Sequence, residues 1–208
     1  MSASLFPLAT GRPPAGVDLL RIVRINEQIK RVVGVSFKIN IMALNAIFLA
    51  KRAGTAARGF GVLSNELRVF SQDLRTCMES LTRLIHACVN EVSVVLQNNR
   101  QMRLLGKAAE LAPRQPALIA VRQRRSRADE EHAQQLGRLR RQLKRALEDA
   151  FQMVELGGVL AKSAKIEAAY GQSHAAALSQ VSGEFDEVVE EIRAALESLR
   201  RSPFFAGS

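Results

Sequence analysis

Apolar residues recur every seven positions along most of the chain, and a second apolar position follows each of them by three. The longest of these apolar seams contains Phe60, Leu63, Leu67, Phe70, Leu74, Cys77, Leu81, Leu84 and Cys88. A sustained repeat of this kind predicts helices that wrap around one another with a left-handed supercoil. Runs of β-branched residues bounded by turn residues do not occur, so we expect no strand.

Three further seams of the same period predict three further helices. The seam before the longest one contains Ile25, Val32, Val35, Ile39, Met42, Ala46, Leu49 and Ala53. A weaker seam follows, with Leu136, Leu139, Leu143, Ala146, Ala150, Met153, Gly157, Leu160 and Ala164. The last contains Leu178, Val181, Phe185, Val188, Ile192, Ala195 and Leu199. Together they predict an all-α fold: a long antiparallel four-helix bundle, or coiled coil, made of two tandem helical hairpins in one chain.

Glycine and proline residues divide these seams. Residues 54–59 predict a turn, residues 171–173 a weaker turn, and Pro113 with Pro116 a break between the halves. The stretches from each turn to this break are nearly equal, so both turns should lie at one end of helices about 80 Å long. The predicted units are an N-terminal tail (1–14), a first hairpin (15–111), a proline linker (112–116), a degenerate second hairpin (117–201) and a C-terminal tail (202–208).

The two halves of the chain repeat each other at an offset of 118 positions. This offset places Phe60 on Leu178, and it places the turn at Thr55 on Ser173. Agreement of a seam and a turn together favours an internal repeat over chance. We therefore expect a pseudo-dimer, in which one chain supplies both hairpins.

The chain has a formal net charge of +10, and much of this positive excess lies in one part of it. Residues 114–145 contain Arg114, Arg122, Arg124, Arg125, Arg127, Arg138, Arg140, Arg141, Lys144 and Arg145. Such a stretch suits contact with an anionic membrane surface or with nucleic acid. A solvated helix face is the commoner explanation, and we expect most of these side chains to be exposed.

Residues that would carry catalysis or hold a metal are not grouped in the sequence. Cys77 and Cys88 lack a metal spacing, and the three histidines share no ligand motif. The chain offers no nucleophile–base set, carboxylate pair or phosphate loop, so we expect no enzyme activity and no cofactor. Lys38 and Asn45 interrupt the most apolar stretch, which therefore favours a helix covered by protein, without a transmembrane segment.

The first helix carries a second apolar stripe, which consists of Phe37, Ile41, Leu44 and Phe48. At 100° per residue, this stripe lies nearly opposite the seam. A bundle helix buries only one face, so either a partner covers the stripe or it packs internally. The matching positions of the second half, Glu155, Val159, Lys162 and Ile166, are half polar. Only one side of the bundle should therefore be adhesive.

Residues 36–70 read SFKINIMALNAIFLAKRAGTAARGFGVLSNELRVF. The segments ALNA (43–46), RAG (52–54), RGF (58–60) and ELR (66–68) follow one another at spacings that resemble the signalling tip of the methyl-accepting chemotaxis proteins, the bacterial chemoreceptors. Residues 165–188 resemble the same tip more faintly, through IEAA and a later GEF. Two positions depart from the family pattern, because Leu49 and Thr55 stand where the family has acidic residues.

The resemblance implies a cytoplasmic signalling protein, on its own or beside membrane-bound receptor arrays. Its partners would be the chemotaxis histidine kinase, the coupling adaptor and other chemoreceptors. They would bind the residues that match the family's docking face: Phe37, Ile41, Leu44, Asn45, Phe48, Arg52 and Val62. No small-molecule ligand domain is recognisable. The alternative is a helical scaffold whose basic stretch binds an anionic membrane surface or nucleic acid.

Overall fold

The computed structural model describes residues 15–111 and 115–205, and within them it contains helices and no strand. The helices are α1 (Ala15–Ala53), α2 (Arg58–Leu111), α3 (Pro116–Ala169) and α4 (Ala175–Arg200). Short 3₁₀ turns cover Gly54–Ala57, Gln172–His174 and Pro203–Phe205. The all-α helical bundle is confirmed. The predicted tail over 1–14, most of the proline linker (112–114, with Pro113 and Arg114) and residues 206–208 lie outside the described part.

The four helices pack in a ring, in which each contacts the next and α4 contacts α1. Core residues on α2 occupy the first position of each heptad, as at Leu67 and Leu74. The position three later is often only half-buried, whereas the position four later is buried; these residues are Ser64, Ser71, Met78, Ile85 and Val92. A helix that touches two neighbours buries a wider face than a two-stranded seam. The serine hydroxyls donate to backbone oxygens within their own helix, so their burial leaves no bond unmade.

Both turns lie at one end of the bundle, as the equal spacings predict. A Cβ on Gly59, beside the first turn, would clash with the Glu167 carboxylate beside the second. Further from the turns, the Phe70 ring packs on Gly157, where an added Cβ would come within 2.5 Å of it. Gly54 begins the first turn with a φ of +70°, a conformation that glycine adopts without strain.

The helices differ in length, and the expectation of four helices of about 80 Å is wrong for two of them. Helices α2 and α3 have 54 residues each, but α1 has 39 and α4 only 26. Beyond the ends of α1 and α4, α2 and α3 continue side by side. Val92 on α2 and Leu136 on α3 are the last buried residues before this extension.

Phe204 and Phe205 are buried where α4 ends, although they belong to the segment assigned to a tail. Their rings meet edge to face, with centroids 5.5 Å apart. The Arg140 guanidinium lies 4.6 Å from the centre of the Phe204 ring and forms a buried ion pair with Asp18. Since Asp18 is on α1 and Arg140 on α3, this cluster joins two diagonal helices and closes the four-helix core.

Candidate docking surface

The α1 stripe is exposed along the outside of the bundle. Phe37, Ile41, Leu44 and Phe48 have exposed fractions between 37% and 64%. On the opposite side of the same helix, Ile39, Ala43 and Ala46 are fully buried. The described part of the chain therefore leaves the stripe open, and no packing among the described residues covers it.

The other three predicted residues lie around this stripe. Asn45 and Arg52 are exposed and flank it on one side by helix geometry. On its other side, an open groove of about 530 Å³ lies between α1 and α2 near the turn. Exposed Val62 belongs to that groove, whose lining is Ile47, Ala50, Lys51, Gly54, Thr55, Ala57, Arg58, Gly61, Val62 and Asn65. The seven residues thus form one continuous surface with the groove.

The groove was not predicted, although two small residues signal where the helices approach closely. A Cβ on Gly61 would lie 3.3 Å from the Cβ of Ala50. Short side chains at a contact allow the backbones to come together, and longer neighbours such as Ile47 then line the space beside them.

The surface carries positive charge. Lys51, Arg52 and Arg58 are exposed, and none of them forms an ion pair with a residue that the structure describes. Leu49, where the resembled family has an acidic residue, is half-buried against the core. An apolar strip with unpaired cations beside it suits a partner surface that is apolar in its centre and acidic at its rim.

Helix α3 exposes a second apolar strip, which the expectation of one adhesive side did not include. Its members, Leu156, Val159, Ile166 and Tyr170, are between 61% and 70% exposed. The 118-residue offset identifies only the counterparts of the α1 stripe. Leu156, next to Glu155, was therefore not predicted, although the spacing of these four residues places them on one face.

Most of the basic stretch is solvated, as expected. Arg122, Arg124, Arg127, Arg138, Arg141, Lys144 and Arg145 are exposed. Arg125 is the first exception, because its guanidinium donates to Asn98 and Gln101 across the α2–α3 contact. Arg140 is the second, since it is buried in the ion pair with Asp18.

The cysteines have no arrangement for catalysis. Burial raises the pKa of the Cys88 thiol to about 11, and it also raises the pKa of Cys77. A raised pKa disfavours the thiolate, which is the reactive form. Among the described residues, no group of three or more His, Cys, Asp or Glu side chains could hold a metal ion.

The segment Gly16–Leu111, which includes α1, the first turn and α2, contains an 18-residue window that is long and apolar enough to cross a membrane. In the bundle, 33% of that window is buried. Length and composition alone are weak support for a membrane span, because the core helix of a bundle has the same properties.

No protein-family model matches the chain. Methyl-accepting chemotaxis protein I of Escherichia coli (strain K12) is 37% identical over 71 residues, and methyl-accepting chemotaxis protein IV of that strain is 36% identical over 69 residues. Methyl-accepting chemotaxis protein McpQ of Pseudomonas putida is 33% identical over 82 residues. These matches cover 34%, 33% and 38% of this chain, and 13% of each relative. In that segment the chain is similar to methyl-accepting chemotaxis proteins.

Proposed function

We propose that this chain is a chemoreceptor-type signal transduction protein that binds a chemotaxis histidine kinase and its coupling adaptor through the surface beside the Gly54–Ala57 turn. One observation carries the proposal. The segment that resembles a chemoreceptor tip also holds an apolar stripe that the bundle leaves open. Similarity to methyl-accepting chemotaxis proteins supports the same class of function. The role is in signalling and not in catalysis.

Folding of the bundle requires only one face of α1. Beside the stripe, Ile39, Ala43 and Ala46 on the opposite face are fully buried and supply the core contacts. Ile41 and Leu44 are not covered by any described residue, and an apolar stripe exposed in this way is typical of a protein–protein contact surface. Anchors at the centre of an interface typically contribute about 1 to 4 kcal/mol each, and a stripe of this size offers several.

The two halves have different roles in this proposal. Residues 15–111 form the receptor-like hairpin, and residues 117–201 form a degenerate hairpin that replaces the second subunit of a receptor dimer. The pseudo-dimer would act in the cytoplasm, alone or beside membrane-bound receptor arrays. Other chemoreceptors are the weaker candidates as partners, because Leu49 and Thr55 replace acidic residues that would pair with arginine at the tip.

A double variant tests the docking face. Ile41→Glu with Leu44→Glu should keep the helix content of the wild type and should weaken kinase and adaptor binding by at least about thirtyfold. Leu156→Glu with Val159→Glu is the matched control, since it places the same charges on the exposed strip of α3. Circular dichroism reports the fold, and titration with purified kinase and adaptor reports binding.

Two outcomes would overturn the proposal. Loss of helix content in the α1 variant, but not in the control, would mean that the stripe belongs to the core. Full helix content with unchanged binding would remove the α1 stripe as the docking face. An equal loss of binding in the α1 variant and in the control would do the same.

A further inference from the structure

The extension of α2 and α3 beyond the four-helix core lies at the end of the molecule opposite the turns. We call it the distal hairpin and define it as residues 93–111 and 115–135. None of these residues is buried. The two arms are held side by side by His132 with Glu91, 3.1 Å apart, and by Arg125 with Asn98, 3.4 Å apart. Residues such as Val95, Leu105 and Leu118 are half-buried, and the rest of this hairpin is largely exposed.

One face of α2 in the distal hairpin alternates basic and apolar residues. Arg100, Leu104, Lys107 and Leu111 are spaced by four, three and four positions, which places them on a single helix face. Leu104 is 59% exposed and Leu111 is 89% exposed. On the arm of α3, Ile119 is 52% exposed. Large apolar side chains so open to solvent are unusual at the end of a helical hairpin that has no core of its own.

The charge around these apolar residues is strongly one-sided. The described residues of the distal hairpin contain seven basic side chains, all between positions 100 and 127, and four acidic side chains. Of the acidic residues only Glu110 lies in that range, because Asp129, Glu130 and Glu131 lie nearer the four-helix core. Arg125 alone of the seven is engaged, with Asn98 and Gln101. The other six make no ion pair or side-chain hydrogen bond with a described residue, so their charge is available to a partner.

From these observations we infer that the distal hairpin binds the surface of an anionic lipid bilayer. Arg100 and Lys107 meet the headgroups, while Leu104 and Leu111 enter the boundary between headgroups and acyl chains. Basic side chains suit this position because their aliphatic stems lie along the apolar region while the charge stays in water.

Nucleic acid fits this surface less well, although it carries the same charge. Binding of single strands relies on aromatic side chains on which bases stack. The chain has no aromatic residue between Phe70 and Phe151. Exposed leucines have no role against a phosphate backbone, whereas a bilayer surface covers them. The inference does not depend on kinase docking, because that surface lies at the other end of the bundle.

Vesicle co-sedimentation of the full chain tests the proposal. The wild type should bind vesicles of phosphatidylcholine with one quarter phosphatidylglycerol, and should bind pure phosphatidylcholine vesicles at least about tenfold more weakly. Leu104→Ser with Leu111→Ser should reduce binding to the anionic vesicles at least about tenfold. Arg100→Glu with Lys107→Glu should reduce it at least about twentyfold, because each basic residue near an anionic leaflet contributes about fivefold.

Two matched controls change the same side chains elsewhere. Arg138→Glu with Arg141→Glu alters the net charge equally, and Leu156→Ser removes an exposed leucine from the four-helix part; each should change vesicle binding less than about twofold. All the variants are at exposed positions, and circular dichroism checks their folding. Absence of wild-type binding to anionic vesicles would overturn the proposal, as would equal losses in the controls. Binding that is insensitive to the leucine pair and equally strong on duplex DNA would assign the surface to nucleic acid instead.

Discussion

Replacement of Phe204 by alanine should destabilise the bundle strongly, although this residue lies after the end of α4. Phe204 is 1% exposed and has Phe205 on one side and the Arg140 guanidinium on another. Truncation of a buried phenylalanine costs about 3 to 5 kcal/mol, because the contacts are lost and the cavity only partly collapses. For a chain of this size, that loss lowers the melting temperature by about 6 to 20 °C.

The matched control is Phe48→Ala, which removes the same atoms from a side chain that is 64% exposed. It should cost less than about 0.5 kcal/mol. Urea denaturation followed by circular dichroism gives both free energies of unfolding. If Phe204→Ala costs no more than Phe48→Ala, then the segment after α4 is not part of the core and the reasoning is refuted.

Asp18→Ala should cost about 3 to 5 kcal/mol in urea denaturation, because it leaves Arg140 charged and unpaired inside the protein. The double variant Asp18→Leu with Arg140→Met should recover most of that loss. A double variant as unstable as Asp18→Ala would contradict this expectation. Gly157→Ala should lower the melting temperature, since its Cβ would meet a phenyl ring at 2.5 Å, whereas Gly34→Ala, with nothing within 4 Å, should raise stability by about 0.5 to 1 kcal/mol. If Gly34→Ala were the more destabilising of the two variants, the Phe70 ring would be free to move away from an added Cβ. Alkylation of Cys88 at pH 8 should be on the order of a hundredfold slower in the folded protein than in urea and should accelerate as the pH rises toward its pKa of about 11; equal rates would mean that the thiol is not buried.

The helices could be predicted from the sequence because each seam repeats over many heptads and ends at a glycine or proline. The same rule located both turns, and α1 ends at Ala53, just before the first of them. A heptad assignment considers one helix against one neighbour. It therefore missed buried Ser64 and Met78, which become core only when a second neighbour covers them.

Other parts of the structure depend on contacts between distant residues, which periodicity does not reveal. Nothing in the local sequence around Phe204 indicates that a ring will fill the end of the core beside Arg140. The seven predicted docking residues are all exposed, but their role in binding stays a prediction. The exposed strip of α3 was missed because Leu156 and Tyr170 have no counterpart in the α1 stripe.

The ion pair between Asp18 and Arg140 limits how the two halves of the bundle can move against each other. A shift of α3 along α1 by one heptad would move Arg140 about 10.5 Å from Asp18. Asp18 would keep its contact with Arg21 on α1, but Arg140 would be left as a buried charge without its carboxylate. Leucine and alanine layers tolerate such a slip, since one apolar layer resembles the next. The pair therefore fixes the axial register of one half against the other. A stimulus applied at either end can tilt or twist the helices. It cannot shift one half along the other by a heptad unless these charges are first separated.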